Sequence, residues 1–342
     1  VPHVNSLDAN TIDGRALVGN RTGIGVHTAE IARRLPDAPL IASHAAIDDR
    51  SGLVHCQFRV DSMPFGVAWQ QLVLPRIATD GLLWAPHGTL PLALRIPSVV
   101  TLHDFSSLTM PFRHRARTVL SFNVFIGRSL QMATRIAAVS RAVAEEAVRW
   151  FGVSRARIEL VPNGVDDFFT PAGDEDDYVL FVGTIEPRKG LDELLAVWDS
   201  LPHPRPRLIL CGDAGWGGVR LPRDAEVTGY VDRERLRELY RHARAFVYPS
   251  RYEGFGIPPL EAMACGAPVI ATRTGAISEY ADSAALLVDP GDRVALRDAL
   301  IRMLSDKPLR SELRARGPER ARMYTWDRSA ALMTQLFNEA AR

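Results

Sequence analysis

Two glutamates, Glu253 and Glu261, stand eight positions apart in Glu253-Gly254-Phe255-Gly256-Ile257-Pro258-Pro259-Leu260-Glu261-Ala262-Met263-Ala264-Cys265-Gly266. The strand-like run Ala245-Phe246-Val247-Tyr248 ends just before them. Gly254 and Gly256 let a backbone approach a ligand closely, and a helix N-terminus attracts anions. Pro258 and Pro259 suit the first turn of a short helix, and Gly266 suits its stop. Neither proline has an N–H, so phosphate donors must come from Gly254, Phe255, Gly256 and Ile257, or from Leu260. This spacing places Glu261 in the first helical turn and Glu253 on the loop feeding it. The same residues also read as a capped helix with Glu261 answering the dipole. Both readings stand on the residues alone.

A second group is Phe181-Val182-Gly183-Thr184-Ile185-Glu186-Pro187-Arg188-Lys189-Gly190, which follows an apolar run and opens a helix at Leu191. Adjacent cations at the carboxyl end of a strand can neutralise a diphosphate leaving group. The chain has only two lysines, Lys189 and Lys307, which singles out Lys189. The alternative is a loop with its charges in solvent. A third group, Asn20-Arg21-Thr22-Gly23-Ile24-Gly25, precedes a helical pattern. Gly23 and Gly25 can admit a sugar or phosphate or simply make a tight turn, and the spacing is not the GxGxxG of dinucleotide sites. Fourth, His103 ends the run Ser98-Val99-Val100-Thr101-Leu102. It can bond a substrate hydroxyl or titrate near neutral pH, and it equally suits a structural role. P-loop, HExxH and GxSxG patterns are missing, and neither lysine sits in a Schiff-base context.

Elements that position strand-end residues are plain in the pattern. Ser98–Leu102, Arg135–Val139, Ile158–Val161, Tyr178–Val182, Arg207–Cys211, Ala245–Tyr248 and Pro268–Ala271 read as buried strands. Helical patterns over 141–151, 190–200, 233–243 and 293–305 separate them. That alternation predicts parallel sheets covered on both faces. At 342 residues the chain is long enough for two domains, and 46% hydrophobic with 24% charged residues is ordinary for a folded protein. Residues 166–177, with Thr170-Pro171-Ala172-Gly173 and the acidic Asp174-Glu175-Asp176-Asp177, read as a linker. The expected domains are therefore 1–165 and 178–326, doubly wound α/β sheets facing across a cleft, with the ligand at strand carboxyl ends. Cys56, Cys211 and Cys265 form neither a disulfide framework nor a zinc pattern and fit a reducing compartment. The net charge of +1 and the absence of an aromatic-basic motif argue against nucleic acid as a partner.

Taken together, these groups resemble the retaining glycosyltransferases of family 4, which have the GT-B fold. The resemblance runs over nearly the whole chain. It includes Thr22-Gly23-Ile24-Gly25, Thr101-Leu102-His103-Asp104, Ala138-Val139-Ser140, Val161-Pro162-Asn163-Gly164-Val165-Asp166, Glu186-Pro187-Arg188-Lys189-Gly190 and the E-x7-E pair of Glu253 and Glu261. Tyr324-Thr325-Trp326 matches the family's closing pattern, which implies that 327–342 cross back to the N-terminal domain. By this resemblance Arg188 and Lys189 hold a donor diphosphate and Glu261 accepts ribose hydroxyls. Glu253 sits beside the donor sugar, with Gly254, Phe255, Gly256 and Ile257 near sugar and phosphate. His103 contacts the transferred sugar, and Gly23 to Gly25 line the acceptor side. Many members carry Arg where this chain has Thr184, which puts more of the charge stabilisation on Arg188 and Lys189. The Gly-Thr-Ile-Glu-Pro-Arg-Lys form is similar to bacterial mannosyltransferase-like members.

The implied function is retaining transfer of a hexose from a nucleotide diphosphate sugar to a glycan or lipid-linked acceptor, with no metal and no cofactor. GDP-mannose is favoured over a UDP-sugar. A nucleotide-sugar epimerase of the same fold and a non-catalytic nucleotide-sugar binding module are the alternatives. Arg113, His114, Arg115 and Arg117 precede the apolar Val119–Ile126. Segment 113–126 therefore reads either as a core helix with a solvated basic end or as a peripheral membrane contact. No secretory leader is visible, and the expected location is the cytoplasm, with the inner face of its membrane as the variant.

Overall fold

The computed structural model describes residues 10–19, 23–48, 52–110, 116–213, 215, 221–222 and 225–342, with the side chains of 116–121 outside that description. The chain divides into two compact units, Val1–Gly164 with Trp326–Arg342, and Val165–Thr325.

The first unit carries strands β1 (Thr11–Asp13), β2 (Leu40–Ser43), β3 (Gln57–Val60), β4 (Leu83–Ala85), β5 (Ser98–Leu102), β6 (Arg135–Ala138) and β7 (Ile158–Leu160). They form one sheet in the order β3-β2-β1-β4-β5-β6-β7. Every pairing is parallel. The strand order reverses between β1 and β4, so the loops leaving those strands diverge and open a crevice at their carboxyl ends. The last helix, Trp326–Ala340, packs on the helix Gly23–Ala32 and buries Trp326, Met333, Leu336 and Phe337. It is pinned where the Ser329 hydroxyl donates to the Pro162 carbonyl and where Arg135 pairs with Glu339.

The second unit carries β8 (Tyr178–Val182), β9 (Arg207–Cys211), β10 (Ala225–Gly229), β11 (Ala245–Tyr248), β12 (Val269–Thr272) and β13 (Leu286–Val288). Their order is β10-β9-β8-β11-β12-β13, again parallel throughout. Here the order reverses between β8 and β11. All five residues of β8 and all four of β11 are buried, as continuous apolar runs demand of strands covered on both faces. Leu191, Leu194, Leu195 and Trp198 of the helix Leu191–Asp199 close over Val179, Phe181, Leu208, Leu210 and Val247.

Residues 166–177, expected as a linker, belong to this second unit. Phe169 is buried against Tyr240, and Glu175 accepts a bidentate pair from the buried Arg310. Pro, Gly and charge marked a turn-rich surface segment, but an aromatic and an ion pair tie it down.

Candidate functional site

The loops leaving β8 and β11 meet at the reversal point of the second sheet. After β8 the chain runs through a short 3-10 turn, Pro187–Lys189, into Gly190 and the helix beyond. After β11 it runs through 249–256 into the helix Ile257–Ala264. Gly190 lets the two loops touch. Its φ is +67°, and a Cβ there would run into the Pro249 carbonyl. With that space kept, the Arg251 N–H reaches the Arg188 carbonyl at 2.9 Å. The Arg251 guanidinium then ties the β11 loop to Asp192 at 2.7 Å and Glu193 at 2.6 Å.

This contact brings Glu253 onto Arg188 and Lys189. One oxygen, Oε1, accepts from Lys189 Nζ at 2.7 Å, Tyr248 Oη at 2.9 Å and Ser250 Oγ at 2.6 Å. Arg188 Nη1 stands 3.2 Å from Oε2, and Arg188 Nη2 bonds Glu186 at 2.7 Å. Lys189 Nζ also donates to Tyr248 Oη at 2.7 Å. The result is two cations against two carboxylates, all with little exposed surface. Burial opposes ionisation of Glu253, but Lys189 and Arg188 overcome it and hold its pKa at about 2. Burial, then Arg188, push the Lys189 ammonium below its ordinary value against the pull of Glu253. Such a cluster holds the Arg188 and Lys189 side chains pre-placed for a ligand with phosphate charge.

Glu261 has a different setting. The helix begins at Ile257 and has no acidic residue in its first turn, so Glu261 lies a full turn inside rather than in the first turn. The reason is Gly256, which takes the cap position at φ +83° and leaves Ile257 as the first helical residue. The helix closes as expected: the Gly266 N–H bonds the Met263 carbonyl and the Ala267 N–H bonds Ala262. From its inner position Glu261 accepts from Tyr240 Oη at 3.1 Å. Burial raises its pKa to about 7, against the lowering pull of Tyr240 and then Arg233.

Other expected positions fall as follows. The Phe255 side chain packs into the core against Tyr280, so only its backbone is left for a ligand. Tyr280 Oη donates to the Gly256 carbonyl at 2.6 Å, and the Ala276 N–H occupies the Gly254 carbonyl. Thr184 is exposed.

In the first unit, Gly23 opens the helix Gly23–Ala32 and Gly25 is buried inside its first turn. Asn20, Arg21 and Thr22 lie outside the described residues, as do Arg113, His114, Arg115 and the side chains of Arg117 and 119–121. On the remainder of that helical segment Ile126 is buried and Val124 is exposed. His103 follows β5 and packs edge-on to His27, with ring centroids 4.7 Å apart. Its ring donates to the Pro86 carbonyl, which leaves Nε2 without a partner among the described residues. Burial, then His27 and His87, hold its pKa well below the imidazole value. His103 is therefore a neutral hydrogen-bond acceptor and does not titrate near neutral pH, contrary to one of its two expected roles.

Sequence reasoning missed several neighbours. His87, after β4, repeats the arrangement of His103: its ring donates to the Arg15 carbonyl, and its Nε2 has no partner among the described residues. His27 Nδ1 bonds Asn163 Oδ1 at 2.7 Å, an unforeseen task for the Asn163 motif. Tyr248, Ser250 and Tyr240 had no signal of their own; only strand-end placement of Tyr248 pointed at the site. Among the described residues no three His, Cys, Asp or Glu side chains converge as a metal site, and no helix is long and apolar enough to cross a membrane.

Comparison with known proteins bears on both units. Residues 165–320 match the model of glycosyl transferases group 1, and residues 21–167 match that of glycosyltransferase family 4. The O-antigen chain mannosyltransferase B of Escherichia coli is 33% identical over 273 residues, covering 72% of this chain and 71% of the relative. The D-inositol 3-phosphate glycosyltransferase of Xylanimonas cellulosilytica is 32% identical over 240 residues, covering 60% of this chain and 57% of its own length. The crystal structure of HepE from Anabaena, in complex with UDP and glucose, superposes with a TM-score of 0.76 at 20% identity. That superposition covers 97% of this chain and 98% of HepE. The two parallel α/β sheets are those of the GT-B fold.

Proposed function

The chain belongs to glycosyltransferase family 4, and from that membership we propose that this hexosyltransferase takes a hexose from a nucleotide diphosphate sugar and delivers it to a saccharide hydroxyl with retention and without a metal. GDP-mannose is the favoured donor. The resemblance of Gly183–Lys189 to mannosyltransferase-like members supports mannose, as does the name of the Escherichia coli relative. A UDP-sugar is the second reading, favoured by the UDP in HepE. The acceptor is a glycan or lipid-linked saccharide, with peripheral membrane contact through 113–126 as part of the same reading.

One observation carries the proposal: Arg188 and Lys189 are held at the reversal point of the second sheet by a shared carboxylate, Glu253. Sugar transfer from a nucleotide diphosphate builds negative charge on the leaving phosphate and oxocarbenium character on the sugar. Arg188 and Lys189 stabilise the first. Glu253, ionised and fixed by Ser250 and Tyr248, stands beside the second. Positive charge at the diphosphate then comes from the protein itself, and departure and attack occur on one face of the sugar. Glu261 accepts the ribose hydroxyls. The bare Nε2 of His103 accepts a hydroxyl of the transferred sugar.

The test is a thermal-shift screen against GDP, UDP, ADP and their sugar conjugates with EDTA present, since binding to the native state raises its melting temperature. A shift with GDP and GDP-mannose is expected. A shift only after Mg2+ is restored overturns metal independence, and no shift with any nucleotide overturns the donor site. Flotation with anionic and with neutral vesicles tests the membrane contact; binding to neither removes it.

A further inference from the structure

Tyr240 lies on the helix Arg233–His242, outside every motif that marks the site, yet its hydroxyl is 3.1 Å from Glu261 Oε2. The ring is fully buried. It is fixed edge-on between Phe246, at 5.5 Å between centroids, and Phe169, at 6.1 Å. A phenol so clamped has one place to put its hydrogen. The hydrogen bond covers one lone pair of Oε2 and leaves the rest of the carboxylate for other donors. Among the described residues Tyr240 Oη is also the only hydrogen-bond partner of the Glu261 side chain. The other charged or titratable groups facing Glu261 are Arg233, Asp166, Cys265 and Tyr280. Arg233 is shared with Asp166 at 3.0 Å.

We propose that Tyr240 is a positioning residue for nucleotide recognition: its hydroxyl orients the Glu261 carboxylate and keeps it an acceptor for the two ribose hydroxyls. The inference rests on the reading that Glu261 binds the ribose. Its physical content is simple. A vicinal diol offers two O–H donors to an ionised carboxylate, and a protonated carboxyl answers it poorly. Burial pushes Glu261 towards protonation near neutral pH, and the Tyr240 hydrogen bond is the first force against it. Removing the hydroxyl while keeping the ring therefore both frees the carboxylate to turn and raises the pH at which it ionises.

The experiment compares wild type, Tyr240→Phe and Glu261→Ala by calorimetric titration with GDP and UDP, each against its 2′,3′-dideoxy form, across neutral pH. For Tyr240→Phe we expect about tenfold weaker binding of the ribonucleotide that wild type prefers. Its dideoxy form should bind as it does to wild type, and the midpoint of the pH dependence should move up. If Tyr240→Phe keeps wild-type affinity and midpoint while Glu261→Ala weakens binding, the positioning role is overturned and the ribose role of Glu261 stands. If Tyr240→Phe weakens ribo and dideoxy forms alike, the hydroxyl acts on the fold and the proposal is overturned. If Glu261→Ala binds as wild type does, the ribose reading falls and takes the proposal with it.

Discussion

The two sheets reverse their strand order in the same way, yet the residues at the two reversal points are opposite in character. At β1 and β4 the side chains are closed or neutral. Asp13 is locked to Arg15 at 2.7 Å, and His87 presents an uncharged ring beside them. His103, just after β5, continues that neutral character. At β8 and β11 the side chains are basic and acidic types paired with one another: Arg188 and Lys189 share Glu253, and Arg188 also holds Glu186. Backbone topology thus supplies a crevice twice, and the residue types at the strand ends decide what each can do. Bare imidazole lone pairs suit neutral hydroxyls. Paired cations suit a diphosphate that gains charge as it leaves. The chain carries one character on each unit.

The sharpest way to break this contrast is Glu253→Gln. Losing the carboxylate should lower turnover by about 100-fold or more. GDP binding should hold or tighten, because the diphosphate no longer competes with Glu253 for Lys189 and Arg188. Weaker GDP binding in steady-state inhibition would contradict the charge sharing. Next is Gly190→Ala, which strains a positive-φ position and drives a methyl into the Pro249 carbonyl. A loss of about 3 kcal/mol in urea unfolding is expected. Little change would mean the two loops are not held together there.

Glu261→Gln sharpens the difference within the E-x7-E pair. A carboxyl raised to about 7 destabilises the folded state as pH climbs from about 4.5 through 7. At about pH 8 the glutamine variant should therefore be more stable by about 2 kcal/mol, while binding nucleotide less well. Glu253 behaves in the opposite sense. Its pKa of about 2 lends stability that is complete above about 4.5 and is lost only as pH falls towards 2. The smallest effect expected is at His103. His103→Ala should reduce activity about tenfold, the loss of one hydrogen bond. The wild-type rate profile should show no inflection from His103 near its ordinary imidazole pKa. An inflection that this variant abolishes would overturn its neutral role.

The sequence exposed what was continuous and hid what was short or distant. β5, β8, β9 and β11 were readable because each is an apolar run buried on both faces. β1 and β4 are only three residues long, too short to stand out, and the edge strands β3 and β10 are only partly covered, so neither edge shows a buried apolar run. Segment 166–177 looked like a linker because the partner of Glu175 is Arg310, far along the chain. At the site, strand-end placement and the scarcity of lysine pointed to Arg188, Lys189 and Glu253 as separate candidates. That Lys189 grips a carboxylate 64 positions away required the pairing of β8 with β11. Tyr240 and His87 were invisible for the same reason: each earns its place through a neighbour in space.

The most direct measurement is the affinity of wild type and Lys189→Ala for GDP against GMP, by calorimetry. A cation that holds the diphosphate should make wild type prefer GDP by about 100-fold, and Lys189→Ala should lose most of that preference while its GMP affinity stays close to wild type. An unchanged GDP-to-GMP ratio in Lys189→Ala would contradict the account, because the diphosphate would then be bound somewhere other than at Lys189.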